Sequence, residues 1–203
     1  MIKHIFLLIF LGAHLMSGEN ETIVLGAGCF WCVEAVYERI DGVISVEAAY
    51  AGGNTDTPTY KEVCSGETGH AEVAKITFDP EKVKTKNILE VFWKAHDPTT
   101  LNRQGADVGT QYRSAIFFLN DKQKTTAEKS LREAQTHFNS PIVTEIAQLK
   151  KYYPAEDYHQ DYYNNNKNAP YCQFVIQPKL EKLNLVNQTQ NPPLTQNAPD
   201  PHN

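Results

Sequence analysis

TIVLGAGCFWCVEAVYERIDGVISVEAAYAGG, residues 22–53, changes its hydrophobic period twice. Thr22 to Leu25 form a short apolar run that reads as a strand and stops in glycines. From Phe30 to Arg39 the residues suit a helix, with Phe30, Val33, Val36 and Tyr37 on one side. Asp41–Gly42 ends it. Val43, Ser45 and Glu47 then alternate with Ile44, Val46 and Ala48, which is the period of a strand. A strand, a helix and a strand therefore follow from this stretch alone.

The same reading extends outward. GGNTDTPTYKEVCSGETGH is a long polar stretch, and a structureless loop of that length in a compact domain is usually functional or disordered. AEVAKITFDP reads as a strand stopped by Asp79–Pro80. A helix starts near Thr85, with Ile88, Leu89, Phe92 and Trp93 on its apolar face. SAIFFLN is a buried strand, residues 122–138 a polar amphipathic helix, and PIVTEI (141–146) a further short strand. This order is not a regular β-α alternation. It predicts an α+β, two-layer sandwich with helices on one face of a mixed, mainly antiparallel sheet, and the nearest motif is a split β-α-β unit.

The chain has 203 residues, 41% hydrophobic and 21% charged, enough for one well-packed domain. A net charge of −5, with scattered Lys and Arg, argues against nucleic acid as a partner. Residues 1–18 stand apart. Lys3 and His4 precede an apolar run from Ile5 to Leu11, and Ser17 and Gly18 follow. That is the layout of a signal peptide, and it is too short for a membrane span. It predicts export, periplasmic or secreted, with no stable membrane insertion after cleavage. Read instead as an uncleaved apolar N-terminus, it leaves the protein cytoplasmic. The catalytic domain is expected over 19–180. Residues 181–203, rich in Pro, Asn and Gln, are expected to be a disordered tail, because they cannot bury enough to offset ordering entropy.

Four cysteines remain: Cys29, Cys32, Cys64 and Cys172. Cys29 follows Gly-Ala-Gly after a strand and opens a helix. Unpaired backbone N–H groups and the helix dipole there stabilise a thiolate, so Cys29 is expected to have a lowered pKa and to act as a nucleophile. Its alternative is a buried structural cysteine. Cys29, Cys32, Cys64 and His70 supply enough ligands for zinc, yet the second half of a knuckle pattern is missing. A thiol-disulfide exchange site would also use C-x-x-C, but Phe30 and Trp31 would crowd an incoming protein thiol. They fit the walls of a small apolar pocket, or plain core.

Three polar clusters supply partners for such a thiol. Tyr60, His70 and Glu72 lie in PTYKEVCSGETGHAEV, where a carboxyl group near the thiol would be a general acid. Asp107, Gln111, Tyr112 and Arg113 lie in a second polar loop before a buried strand. Tyr158, His159, Gln160, Asp161 and Tyr162 form a dense third cluster, followed by Cys172.

GCFWC, PTYKEVCSGETGHAEV, DPTTLNRQGADVGTQYRS and EDYHQDY…YC, in that order from about Thr22 to Ile176, resemble the A-type peptide methionine sulfoxide reductases. The resemblance implies a ferredoxin-like sheet and reduction of the S epimer of methionine sulfoxide, in proteins and as the free amino acid, as repair after oxidative stress. Cys29 would be the nucleophile. Phe30 and Trp31 would hold the ε-methyl group, Glu72 would be the acid, and Tyr60 and Tyr112 would bind the sulfoxide oxygen. Asp107 and His159 would help to fix the substrate. No metal or flavin is implied, and a thioredoxin-like dithiol would be the reductant. Cys172 is the preferred resolving thiol and Cys32 its alternative, with a relay between them a third route. Cys64 is read as buried and structural.

Overall fold

The computed structural model describes residues 19–186 and 188. The expected signal peptide lies outside them. The expected tail does so only in part, because its boundary at 181 falls within a helix.

Among the described residues, eight strands and six α-helices follow one another. They are β1 (Glu21–Ala27), α1 (Phe30–Tyr37), β2 (Val43–Ala51), α2 (Tyr60–Ser65), β3 (Ala71–Phe78) and α3 (Thr85–Ala95). A small hairpin of β4 (Arg103–Gln104) and β5 (Asp107–Val108) leads through a 3₁₀ turn, Thr110–Tyr112, into β6 (Ser114–Phe118). Then come α4 (Asp121–Gln135), β7 (Glu145–Gln148), β8 (Tyr152–Pro154), a 3₁₀ turn at Asp157–His159 and α5 (Tyr162–Asn165). A π-helical turn, Cys172–Ile176, runs into α6 (Gln177–Lys182).

Six strands form one mixed sheet in the order β7-β6-β1-β3-β2-β8. Every neighbouring pair is antiparallel except β6 and β7. The pattern of β1 explains its central place. Ile23 and Leu25 face the helical layer, Val24 faces the other side, and all three are fully buried. Leu25 lies opposite Ala74 of β3 and Ile116 of β6, so the centre of the sheet is apolar on its helical face. The helical layer adds Ile88, Leu89, Phe92 and Trp93, the face expected for α3. The far face is a smaller cluster covered by Ala147, Leu149 and Tyr152.

Three local readings change. The long polar stretch before β3 contains α2, whose start is a capping box: Thr59 accepts from the Glu62 backbone, and the Glu62 side chain accepts from that of Thr59. The strand expected at 141–146 forms at 145–148, where it pairs in parallel with β6. Helix α1 is buried almost all round rather than on one side, Cys32, Glu34 and Ala35 included. Its second face is covered by residues 156–176.

That covering segment is fastened by polar side chains. Glu34 accepts hydrogen bonds from the backbone N–H groups of Asp161 (2.9 Å) and Tyr162 (3.2 Å). Gln160 pairs with both backbone groups of Ala48 at 2.9 Å, extending the edge of β2 with an amide. Towards the end of the described residues, α6 reaches Lys182 and Leu185 is buried against the core.

Candidate active site

Cys29 is the N-cap of α1, and its carbonyl accepts the first helical hydrogen bond, from Cys32, at 3.0 Å. Gly28 makes the entry possible. Its φ is +88°, and a Cβ there would lie 2.7 Å from Gln104. The next backbone N–H, that of Phe30, donates to Glu72 Oε2 at 3.1 Å. Glu72 comes from β3, opposite Tyr50 of β2, and is 1% exposed.

Burial pushes the Glu72 carboxyl up to about 8; the Phe30 N–H works against the shift, and the charges of Asp107 and Cys32 add to it. Glu72 is therefore an acid at neutral pH. The effect on Cys29 is opposite to the sequence expectation. Burial, then a hydrogen bond with Cys32, then the Glu72 charge, hold its thiol well above the usual range. The reason is visible in the helix start: the cysteine is enclosed, and the Phe30 N–H is taken by Glu72. The acidic member of the pair is Cys32. The hydrogen bond from Cys29 brings it down to about 7 against the effect of burial, helped by Lys179 and Tyr171.

Aromatic rings wall this pair. Phe30, 1% exposed, packs on Tyr50, Tyr60 and His159, with ring centroids at 5.8, 6.3 and 4.9 Å. Trp31 stacks flat on Tyr162 at 3.6 Å and meets the edge of Tyr171. The Trp31 indole N–H donates to His159 Nδ1 at 3.2 Å, so the proton of this buried, neutral imidazole is on Nε2. That Nε2 has no hydrogen-bond partner, and the nearest carboxylate, Glu156, is 3.9 Å away. A buried donor without an acceptor is costly, and a ligand oxygen would satisfy it.

Two further phenols border the carboxyl group. Tyr60 begins α2, its N–H donating to Glu156 Oε1 at 2.8 Å, while the Tyr50 hydroxyl donates to Glu156 Oε2 at 2.8 Å. Burial, a hydrogen bond with Cys64 and the Glu72 charge hold the Tyr60 hydroxyl far above its usual range. Burial, Glu72 and Cys29 do the same for Tyr112. Both therefore keep their protons and remain donors. Asp107, on β5, accepts from the Tyr171 hydroxyl at 2.7 Å. Cys172 is fully buried at the start of the π-helical turn, and the Cys32 charge reaches it. All four cysteines are free.

The structure thus brings Cys29, Cys32, Glu72, Tyr60, Tyr112, Phe30, Trp31, His159 and Asp107 to one place, with Cys172 beside it. It separates others. His70 belongs to the scaffold: Nδ1 accepts from Gly53 and the other ring nitrogen pairs with the Thr55 carbonyl. Cys64 is exposed on α2, not buried as expected, so the zinc set weighed from the sequence is not assembled. Arg113 pairs with Glu145 at 2.9 Å. Sequence reasoning missed Tyr50, Glu156 and Tyr171; the last carried a signal, its place next to Cys172.

The family model described as peptide methionine sulfoxide reductase matches residues 21–191. A peptide methionine sulfoxide reductase MsrA of Leptospira borgpetersenii is 54% identical, over 80% of this chain and 92% of its own. An MsrA of Trichodesmium erythraeum is 55% identical, over 80% and 93%. Among solved structures, reduced Mxr1 of Saccharomyces cerevisiae aligns at 36% identity with a TM-score of 0.72, covering 76% of this chain and 90% of that one.

Proposed function

The chain belongs to the peptide methionine sulfoxide reductase family and is a thiol-dependent oxidoreductase acting on methionine sulfoxide; we propose that it reduces the S epimer through Cys29, with Glu72 as acid. The observation that carries this assignment of roles is the buried Glu72 carboxyl, protonated at neutral pH and bonded to the helix that Cys29 opens.

A sulfoxide sulfur is a poor electrophile until its oxygen takes a proton. Glu72 supplies that proton, and Tyr60 and Tyr112 hydrogen-bond the oxygen as it gains charge. Phe30 and Trp31 enclose the methyl group. The Nε2–H of His159 meets an acceptor on the substrate, and Asp107 holds the rim. Cys29 passes its proton along its hydrogen bond to Cys32 and attacks the sulfur. The S–S bond formed by this attack and the substrate S–O bond then break as the oxygen transfers to the Cys29 sulfur, so that methionine leaves and Cys29 is a sulfenic acid.

A second thiol then condenses with the sulfenic acid, losing water and forming a disulfide. The hydrogen bond between Cys29 and Cys32 supports Cys32 as the first partner, and Cys172, within the field of Cys32, as the next member of a relay. A thioredoxin-like dithiol reduces the final disulfide by exchange; the relative Mxr1 is known in complex with Trx2. The substrates are oxidised proteins and peptides, and the role is repair. The N-terminal sequence supports export, which calls for a reductant in that compartment. We also read β6-β1-β3-β2 with α1 and α3 as a ferredoxin-like unit, supported by its strand order.

The test is turnover of each separated epimer of a dabsylated methionine sulfoxide with dithiothreitol. The S epimer is expected to be consumed, and Cys29→Ser to be inactive. Consumption of the R epimer alone, or retained turnover in Cys29→Ser, would refute the assignment.

A further inference from the structure

Tyr171 touches three parts of the site at once. Its hydroxyl donates to Asp107 Oδ2 at 2.7 Å and lies 3.8 Å from Cys32 Sγ. Its ring meets Trp31 edge-on, with centroids 5.8 Å apart. It is also the residue before Cys172, at the N-cap of the π-helical turn. Single π-turns inside helices are frequent at functional sites.

We propose that Tyr171 is a positioning residue for the disulfide-forming step, its hydroxyl fixing the Cys32 sulfur for attack on oxidised Cys29. A phenol suits this task because it serves both ionisation states of Cys32. While Cys32 is a thiol, its S–H donates to the phenol oxygen, whose own proton goes to Asp107. When Cys32 ionises, the phenol O–H turns to the thiolate. A phenylalanine would keep the contact with Trp31 and lose both arrangements.

The step balances without an outside oxidant. The Cys32 thiolate attacks the sulfur of Cys29–S–OH. The S–S bond forms, the S–O bond breaks, and the oxygen leaves as water with one added proton. Cys32 is oxidised and the Cys29 sulfenic sulfur is reduced. The charged and titratable groups facing Cys32 are Cys29 from the start of α1, Asp107 from β5, Tyr171 and Cys172 from the C-terminal turn, and Lys179 from α6. Glu72 lies close enough to feel its charge. Lys179 and Tyr171 favour the thiolate, and Asp107 opposes it.

The proposal rests on the reading of Cys29 as nucleophile and Cys32 as its first partner, and the experiment separates the two. Protein carrying Cys172→Ser is mixed with one equivalent of methionine S-sulfoxide and no reductant, with and without Tyr171→Phe or Tyr171→Leu. Quenched samples report methionine released, sulfenic acid trapped by dimedone, and the Cys29–Cys32 disulfide by peptide mapping. Thermal melts verify folding. Tyr171→Phe is expected to slow disulfide closure more than it slows methionine release. It should close the disulfide about tenfold more slowly, the scale of one lost hydrogen bond, and accumulate sulfenic acid. The pH midpoint for alkylation of Cys32 should also move upward. Parental closure in Tyr171→Phe, whether or not Tyr171→Leu is slow, overturns the proposal, because ring packing alone would then suffice. Absence of methionine release from the parent protein overturns the nucleophile reading, and the proposal with it.

Discussion

Glu72→Gln removes a proton donor while leaving an amide oxygen to accept the Phe30 N–H, now 3.1 Å away. The helix start that seats Cys29 is thereby kept. Loss of one donor aimed at a developing charge in a dry site costs about 2.7–4 kcal/mol, or roughly 10²–10³ in rate. The pH profile carries the sharper signature. The reactive form needs one negative charge on the cysteine pair, which gains it near 7, and a neutral Glu72, which is lost near 8. Glu72 has a raised pKa, so its acid form is present below that value and disappears as pH rises through it. Single-turnover methionine release should therefore follow a narrow bell, falling about tenfold one unit outside either limb. Glu72→Gln should lose the alkaline limb and keep the acid one, at a much lower plateau. Rapid-quench measurement of methionine release between pH 5.5 and 9.5 checks this. An alkaline limb that persists in Glu72→Gln, or a rate at pH 7 within threefold of the wild type, refutes the assignment of Glu72 as the acid.

Cys172→Ser is expected to release one methionine per chain at the normal rate but to slow cycling coupled to thioredoxin; steady-state assays with thioredoxin and with dithiothreitol compare the two. Burial pushes the Glu34 carboxyl up to about 8, and Glu34→Ala removes the acceptor of two backbone N–H groups, now at 2.9 and 3.2 Å. It should destabilise the fold by about 1–3 kcal/mol and raise KM more than it lowers kcat, because Tyr162 is the platform under Trp31. Denaturant melts and epimer kinetics test the two parts. Phe92→Ala empties a fully buried position beneath the sheet. A loss of about 3–5 kcal/mol should lower Tm by roughly 6–20 °C, with KM unchanged below the transition.

What could be seen in the sequence was what repeats or carries a local rule. β1, α1, β2 and β3 announced themselves by changes of period, and α3 by Ile88, Leu89, Phe92 and Trp93. Helix α2 was equally legible through Thr59 and Glu62, but its short length within a polar run hid it. Strand β8 was not legible: Tyr152, Tyr153 and Pro154 become a strand only because the edge of β2 accepts them. The chemistry divides in the same way. Cys29 and Glu72 stood out by position and type. The direction of the Cys29 shift did not, because it depends on enclosure by residues far along the chain and on where a single backbone N–H is directed. Glu156 was hidden in a cluster of polar residues, and only the fold shows that it joins Tyr50 to the start of α2.

The fastening of α1 also has a meaning for how the molecule comes into being. Glu34 waits for a partner 127 positions further on, and Trp31 for one 128 positions away. As the chain emerges from its N-terminal end, helix α1 and both of its thiols are synthesised long before the segment that will enclose them. Until residues 156–176 arrive, the pair has no lid, no aromatic platform and no tuned acidity. A segment made long after α1 thus completes the reactive centre, and a chain that stops short of it holds two unshielded thiols in place of a reductase.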